Sequence, residues 1–560
     1  MRWADDRSAS DSGDNCGISP GYLFAMQGDP WWEQSGVCTA IVVSLTFFGV
    51  FYAMQRRKRM RELCNIPPGP APLPIIGNCG YLLVPKFILK WIRRYKYGDD
   101  VSKRRMQSPQ VLLTELSEVY GAVYSVFIGS QLVVILTGYD VVRDALTNRA
   151  EVFSDRPDVP VISMLTKRRG IVFAPYGQVW RQQRKFCHAA LRSFGLGKLS
   201  LEPCIQEEVL LVKRELLQLS AEAGWGPIDP APLINGAVSN VICSLSFGRR
   251  FQPLDNEFRA MLDLMSRGLE IVLNSAAILI NVFPWLYYLP FGVFKEVRTV
   301  ESRITRFLKA MIAEHRSSLD PSAPRDLIDM YLIEMAQRQE RGPTDSSFSE
   351  DYLFYIIGDL FIAGTDTTTN TILWILLYMS LYPDVQEKVH QEIDSVVPVS
   401  RAPSLTDKAR LPYTEASILE VQRMTTVVPL AIPHMASQTT EFRGYTIPRG
   451  TVIFPNLWSV HRDPTVWEKP DVFNPSRFLD SSGVVQRREH FLPFGIGRRV
   501  CMGEQLAKME LFLMFTGLMQ AFTFRLAEGA PLPAMDGRFG LTLAPFPYSL
   551  RVTPRRSPPT

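Results

Sequence analysis

The stretch Phe494-Gly495-Ile496-Gly497-Arg498-Arg499-Val500-Cys501-Met502-Gly503, followed by Glu504-Gln505-Leu506-Ala507-Lys508-Met509-Glu510-Leu511-Phe512-Leu513, decides how the rest of the chain is read. Two glycines ahead of the cysteine and one behind it let the backbone fold tightly around the sulfur. The apolar run after Gly503 has helical spacing, so a helix start should aim its unpaired N–H groups and positive dipole end at the cysteine. Such a setting is expected to favour thiolate over thiol and to tune the donor strength of a metal-bound sulfur. A lone cysteine is usually a core residue; the glycine-rich loop makes Cys501 a ligand candidate.

A second stretch lies in a long helix expected from about Ser349 to Ser380, opened by the spacing Ser347-Phe348-Ser349-Glu350 of a capping box. This helix is apolar all round except for Asp359 and the cluster Ala363-Gly364-Thr365-Asp366-Thr367-Thr368-Thr369-Asn370. A buried helix carries such groups only for a reason, because an unpaired polar group costs free energy there. A membrane span is disfavoured by polar groups at its middle. The better reading is a ligand site at which Gly364 thins the helix and Asp366 and Thr367 handle protons. Asp359, seven residues earlier on about the same face, reads as a satisfied buried carboxylate.

The 560 residues are 46% hydrophobic and 21% charged with a net charge of +5, which fits a large globular core and excludes a mainly disordered chain. So small a net charge also argues against a wholesale nucleic-acid binder. Cysteines at 16, 38, 64, 79, 187, 204, 243 and 501 form no C-x-x-C pair, so neither a disulfide framework nor a zinc site is expected. Short strand signals, such as Val133-Val134-Ile135-Leu136 and a hairpin at Phe442–Pro448, interrupt a body that is otherwise helical by periodicity. The fold class is therefore mainly α with small β-sheets, one large domain over 75–560.

Ahead of it, residues 1–36 form an acidic tail, and Val37–Met54 is free of charge and would span roughly 27 Å as a helix. Trp31 and Trp32 precede this segment and Arg56, Arg57, Lys58, Arg59 and Arg61 follow it, which orients a single-pass anchor with the body cytosolic. Residues 55–74 are a basic and proline-rich linker through Pro67-Pro68-Gly69-Pro70. The run Val272–Phe291, broken by Asn274, Asn281, Pro284 and Pro290, reads as a loop dipping into a membrane interface. The eight basic residues between Lys86 and Arg105 read either as a solvated face or as a contact with anionic lipid.

The cysteine loop resembles the haem-binding pattern F-x-x-G-x-R-x-C-x-G of the cytochrome P-450 family, matched here by Phe494, Gly497, Arg499, Cys501 and Gly503. The resemblance runs from Pro67 to about Val552 and looks nearest to the microsomal family two, subfamily U. It implies the P-450 fold behind one transmembrane helix and haem b, with Cys501 as axial thiolate and Phe494 shielding the sulfur. Arg156, Trp180, Arg184, His434 and Arg499 would meet the haem propionates. It further implies that Asp366 and Thr367 form the oxygen-activation pair and that Glu420, Arg423 and Arg477 form a buried structural lock. Substrate would be held by Ile362, Ala363, Val428, Leu430, Ala431 and Leu541.

Electrons would come from NADPH through NADPH-cytochrome reductase, with cytochrome b5 as a second candidate partner. An acidic donor would be met by a basic face of Arg181, Lys185 and Arg498. The implied activity is hydroxylation of a long-chain fatty acid, arachidonate-like, at or beside its terminal methyl, in the endoplasmic reticulum membrane. The mitochondrial inner membrane stays open as another location. Two other classes share the cysteine loop: a thiolate-haem isomerase or dehydratase, which usually lacks the acid–hydroxyl pair, and a non-enzymatic membrane haem sensor, which needs no proton relay.

Overall fold

The long helix expected around the Asp-Thr cluster is the axis of the molecule. In a computed structural model, which describes residues 43, 46–47, 65–72, 77–78 and 108–555 apart from 196, 253–254, 274–278, 282, 341–346 and 530, the chain from Asn65 onward packs as one unit. Its longer helices are α1 (Pro109–Tyr120), α2 (Gln178–Ser193), α3 (Glu202–Glu222), α4 (Ala231–Phe247), α5 (Asn256–Leu273), α6 (Gly292–Ser317), α7 (Leu327–Glu340), α8 (Glu350–Leu381), α9 (Pro383–Val396), α10 (Pro412–Thr425) and α11 (Glu504–Ala521).

Helix α8 starts one residue later than the sequence spacing suggests. Its cap is Ser349, whose side chain accepts from the Tyr352 N–H, and not Ser347, whose hydroxyl donates to Gln182. The C-terminal half of α8 is buried without a break from Thr368 to Met379, packed among α4, α10 and α11. A helix enclosed on every side needs no amphipathic stripe, which is why its sequence shows none.

Beside this helical core sits a small sheet of β1 (Val123–Ile128), β2 (Gln131–Thr137), β3 (His434–Met435) and β6 (Val452–Asn456) in the order β1-β2-β6-β3. The β1–β2 pair is antiparallel and β2 runs parallel to β6, with Val134 opposite Ile453. The expected hairpin is β4 (Thr440–Phe442) with β5 (Tyr445–Ile447). Two further ladders, of five and two residue pairs, complete the β content among the described residues, so helices with small sheets describe the body.

Among the described residues no helix is long and apolar enough to cross a membrane. The expected anchor at 37–54 lies outside them except for Val43, Thr46 and Phe47, which are helical and exposed. The basic run 86–105 lies outside them as well.

Candidate active site

The loop before α11 closes on itself as its glycines require. The Cys501 N–H donates to the Phe494 carbonyl at 3.0 Å, and Val500 N–H to Gly497 at 3.2 Å. Gly497 has φ +83°, and a Cβ there would lie 2.0 Å from the Leu146 carbonyl oxygen, so glycine alone fits. Cys501 is exposed to a cavity of about 620 Å³, whose walls also include Phe494, Arg499, Arg156, Arg184, His434, Ile362, Ala363, Asp366, Thr367, Val428, Ala431 and Leu541. Leu430, expected on the wall, does not line it. Burial pushes the Cys501 thiol pKa up, against the lowering pull of the Gly503 N–H and Arg184. The expected thiolate-favouring setting is thus outweighed by desolvation in the protein alone.

Three guanidiniums converge on the cavity without an ion-pair partner among the described residues. Arg156 donates to the carbonyls of Val172, Ile432 and Pro433, at 2.8 to 2.9 Å. Arg499 donates to Ser154, Ile171 and Ala174, and Arg184 to Val500. Burial holds the Arg156 pKa well down, with Arg499 as the next cause, and Arg499 itself is lowered to about 10 by burial. His434 is also lowered, by burial and then by Arg156, and its Nδ1 lies 2.6 Å from the Phe153 carbonyl.

Trp180 lies elsewhere than expected. It does not line the cavity; its indole N–H donates to Ile171 at 3.0 Å, and its ring carries the Arg499 guanidinium at 4.2 Å and that of Arg184 at 5.4 Å. It holds two of the three cations in place by cation–π contact.

On the α8 side of the cavity Asp366 accepts from Thr542 Oγ1 at 2.5 Å and from Asn370 Nδ2 at 3.2 Å, and burial raises its pKa. Thr367 Oγ1 donates to the Ala363 carbonyl one turn back, at 2.7 Å. The space vacated at Gly364 is filled from the other side: a Cβ there would meet Ile242 Cδ1 of α4 at 2.4 Å, so this glycine also serves close helix packing. Asp359 is the satisfied carboxylate expected, accepting the N–H groups of Ile171 at 2.6 Å and Val172 at 2.8 Å, with its pKa raised to about 6 by burial. The carbonyls of those same two residues hold Arg499, Trp180 and Arg156. Asp359 therefore ties α8 to the arginine cradle, a link no local pattern announces.

Below the loop, Glu420 and Arg423 are fully buried and paired through two bonds of 2.7 and 2.8 Å, while Arg477 and the Asn474 N–H reach Glu420 at 2.9 Å each. Among the described residues, one buried cluster has the composition of a metal site: His315, Asp326 and Asp329. Both ring nitrogens of His315 face oxygen acceptors, the Met311 carbonyl at 2.7 Å and Asp326 at 2.8 Å, and Arg325 occupies Asp329. That is an ion-pair lock between α6 and α7, with no lone pair left on the imidazole for a cation.

The geometry defines a class: a protein whose apolar cavity carries one cysteine and three guanidiniums without an ion-pair partner among the described residues, a donor set suited to a group that offers a metal and carboxylates. A family model described as Cytochrome P450 matches residues 97–552. The chain is 59% identical over 504 residues to Cytochrome P450 2U1 of Homo sapiens, covering 89% of this chain and 91% of the relative. The Mus musculus protein of the same name is 59% identical over 499 residues, covering 89% and 92%, and Cytochrome P450 2J2 of Homo sapiens is 40% identical over 498 residues, covering 89% and 93%. The chain belongs to the cytochrome P-450 family, and its resemblance to family two, subfamily U, stands. It is a haem b monooxygenase supplied with NADPH-derived electrons by a reductase, as its family is.

Proposed function

We propose that the protein hydroxylates long-chain fatty acids, arachidonate-like, at or beside the terminal methyl, from an anchored position on the endoplasmic reticulum membrane. The observation that carries this reading is one continuous cavity that joins Cys501 to the apolar side chains Ile162, Leu165, Val297, Val300, Ile304 and Leu308. Such a wall excludes water and accepts a hydrocarbon chain. Haem b, when bound, supplies oxygen activation and C–H oxidation.

This chain's own residues do the rest. Cys501 is the thiolate ligand, and Phe494 covers the sulfur. Arg156, Arg184, Arg499 and His434 hold the propionates, where a carboxylate would offset the burial, and for Arg156, Arg499 and His434 the neighbouring guanidiniums, that depress their pKa values. Trp180 acts through Arg184 and Arg499. Asp366, its carboxyl oriented by Thr542 and Asn370 and its pKa raised by burial, is placed to pass a proton, and Thr367 offers the hydroxyl beside it.

At the outer end, Phe283, Trp285, Tyr288 and Phe291 are 47%, 61%, 67% and 60% exposed, a patch that supports the expected contact with the lipid interface. On the cysteine side, Arg181 and Arg498 share Glu151, which tempers the basic face and leaves Lys185 exposed to an acidic donor. Cytochrome b5 is proposed as a second donor there, after the reductase. The test is turnover of arachidonate by the full chain with reductase in phospholipid. Terminal or penultimate hydroxylation that requires NADPH supports the reading; failure to oxidise any long-chain fatty acid, with a normal spectrum, overturns the substrate assignment.

A further inference from the structure

The buried lock of Glu420, Arg423 and Arg477 and the cysteine loop are separate in sequence. His461 lies between them, fully buried at the end of the short helix Leu457–Arg462 that follows β6. Its carbonyl accepts from Arg423 Nη1 at 2.8 Å, so its backbone belongs to the lock. One ring nitrogen, Nδ1, lies 2.9 Å from Thr426 Oγ1, and that hydroxyl in turn donates to the Arg423 carbonyl at 3.0 Å. The other, Nε2, accepts the N–H of Leu492 at 2.8 Å.

Because an N–H must meet a lone pair, Nε2 is unprotonated and the proton sits on Nδ1, donated to Thr426. Both nitrogens are thereby spent on the scaffold, and the ring is neutral. Burial is consistent with this, pushing the imidazole pKa down to about 3 with Arg423 as the next cause.

Leu492 is the hinge of the cysteine loop. Its carbonyl accepts from the Gly495 N–H at 3.1 Å, and two residues on, Phe494 accepts from Cys501 N–H. Hydrogen bonds, joined through short stretches of backbone, thus lead from Glu420 through Arg423, His461, Leu492, Gly495 and Phe494 to Cys501. We propose that His461 is a positioning residue for the Cys501 ligand: its Nε2 fixes the start of the cysteine loop to the Glu420–Arg423–Arg477 lock and so sets where the sulfur stands. It touches neither substrate nor cofactor, and the inference rests on Cys501 being the axial ligand.

Its test compares His461→Gln, His461→Asn and His461→Leu with the wild type as full-length, haem-loaded proteins in phospholipid. A glutamine amide oxygen reaches the Nε2 position and can accept from Leu492; an asparagine amide reaches only the Nδ1 position. At equal haem content, the rate at which the carbon monoxide complex converts from its thiolate band to the band of the displaced ligand is recorded, beside the unfolding midpoint. The expected result is conversion about tenfold faster in the asparagine and leucine variants, the effect of leaving one buried N–H unpaired, with the glutamine variant within about twofold of wild type.

Conversion rates in all three that match wild type would overturn the proposal. So would equal acceleration in glutamine and leucine variants that follows the fall in unfolding midpoint, since that is plain loss of packing. If His461→Leu takes up no haem, the contrast of glutamine with asparagine decides by the same criterion. Absence of a thiolate band in the wild type would instead strike the ligand assignment itself.

Discussion

Replacing Arg423 by alanine removes one half of a pair that is wholly cut off from water. Glu420 and Arg423 are each 0% exposed, and the guanidinium makes two bonds to the carboxylate and two more to the carbonyls of His461 and Pro470, at 2.8 and 2.9 Å. Truncation leaves Glu420 with only Arg477 and the Asn474 N–H among the described residues, so one buried charge is under-compensated, and the buried His461 carbonyl and the half-buried Pro470 carbonyl lose this donor. Breaking a buried pair in this way costs ~3–5 kcal/mol, a large share of the roughly 5–15 kcal/mol that holds a folded protein together. Arg423→Lys should recover only part of that, because one ammonium cannot span the carboxylate bidentately and reach both carbonyls. The assay is urea denaturation of haem-loaded protein, followed by tryptophan fluorescence and by the Soret band together. The account expects a loss of several kcal/mol and release of haem at lower urea in Arg423→Ala. A loss below ~1 kcal/mol with unchanged haem retention would refute the reasoning, because only a solvated ion pair is that weak.

Two other outcomes follow from the site. Asp359 has its pKa raised above the usual 3.8 to about 6, so it contributes stability fully below the unfolded value and loses it as pH rises through about 6. Asp359→Asn keeps an oxygen for both N–H donors but cannot ionise; relative to wild type its unfolding midpoint should gain as pH rises from about 4 to about 6, and parallel pH profiles would exclude the assignment. Thr542→Val removes the donor that orients Asp366 at 2.5 Å. Product formed per NADPH consumed should fall about tenfold, part of the roughly 10²–10⁴-fold that a positioned proton donor contributes, while the carbon monoxide spectrum is unaltered; unchanged coupling would remove Asp366 from proton delivery.

The sequence showed most where chemistry is local. The glycines around Cys501 announce a tight loop because only they adopt its backbone, and the Asp-Thr cluster stands out because α8 is otherwise apolar. What stayed hidden depends on side chains brought together from far apart. Thr542 meets Asp366 across 176 residues, and Ile171 and Val172 meet Asp359 across more than 180. No periodicity encodes such meetings.

Direction was hidden too. Trp180 could be placed one turn from Arg184, but not turned away from the cavity with its ring under two arginines. Gly364 was legible as a thin place in the helix, yet its open side faces Ile242 as well. Two serines at 347 and 349 both suit a helix start, and only backbone geometry decides for Ser349. The Cys501 thiol illustrates competition between effects: helix-start N–H groups were visible in the sequence, whereas the extent of burial that outweighs them is a property of the assembled core.

The most direct measurement on the central claim is the carbon monoxide difference spectrum of the dithionite-reduced protein, wild type beside Cys501→Ala at equal haem content. The account predicts a strongly red-shifted Soret band in the wild type that is absent from the variant. A wild type that is folded and haem-loaded but lacks the shifted band, or a variant that keeps it, would contradict the assignment of Cys501 as the ligand.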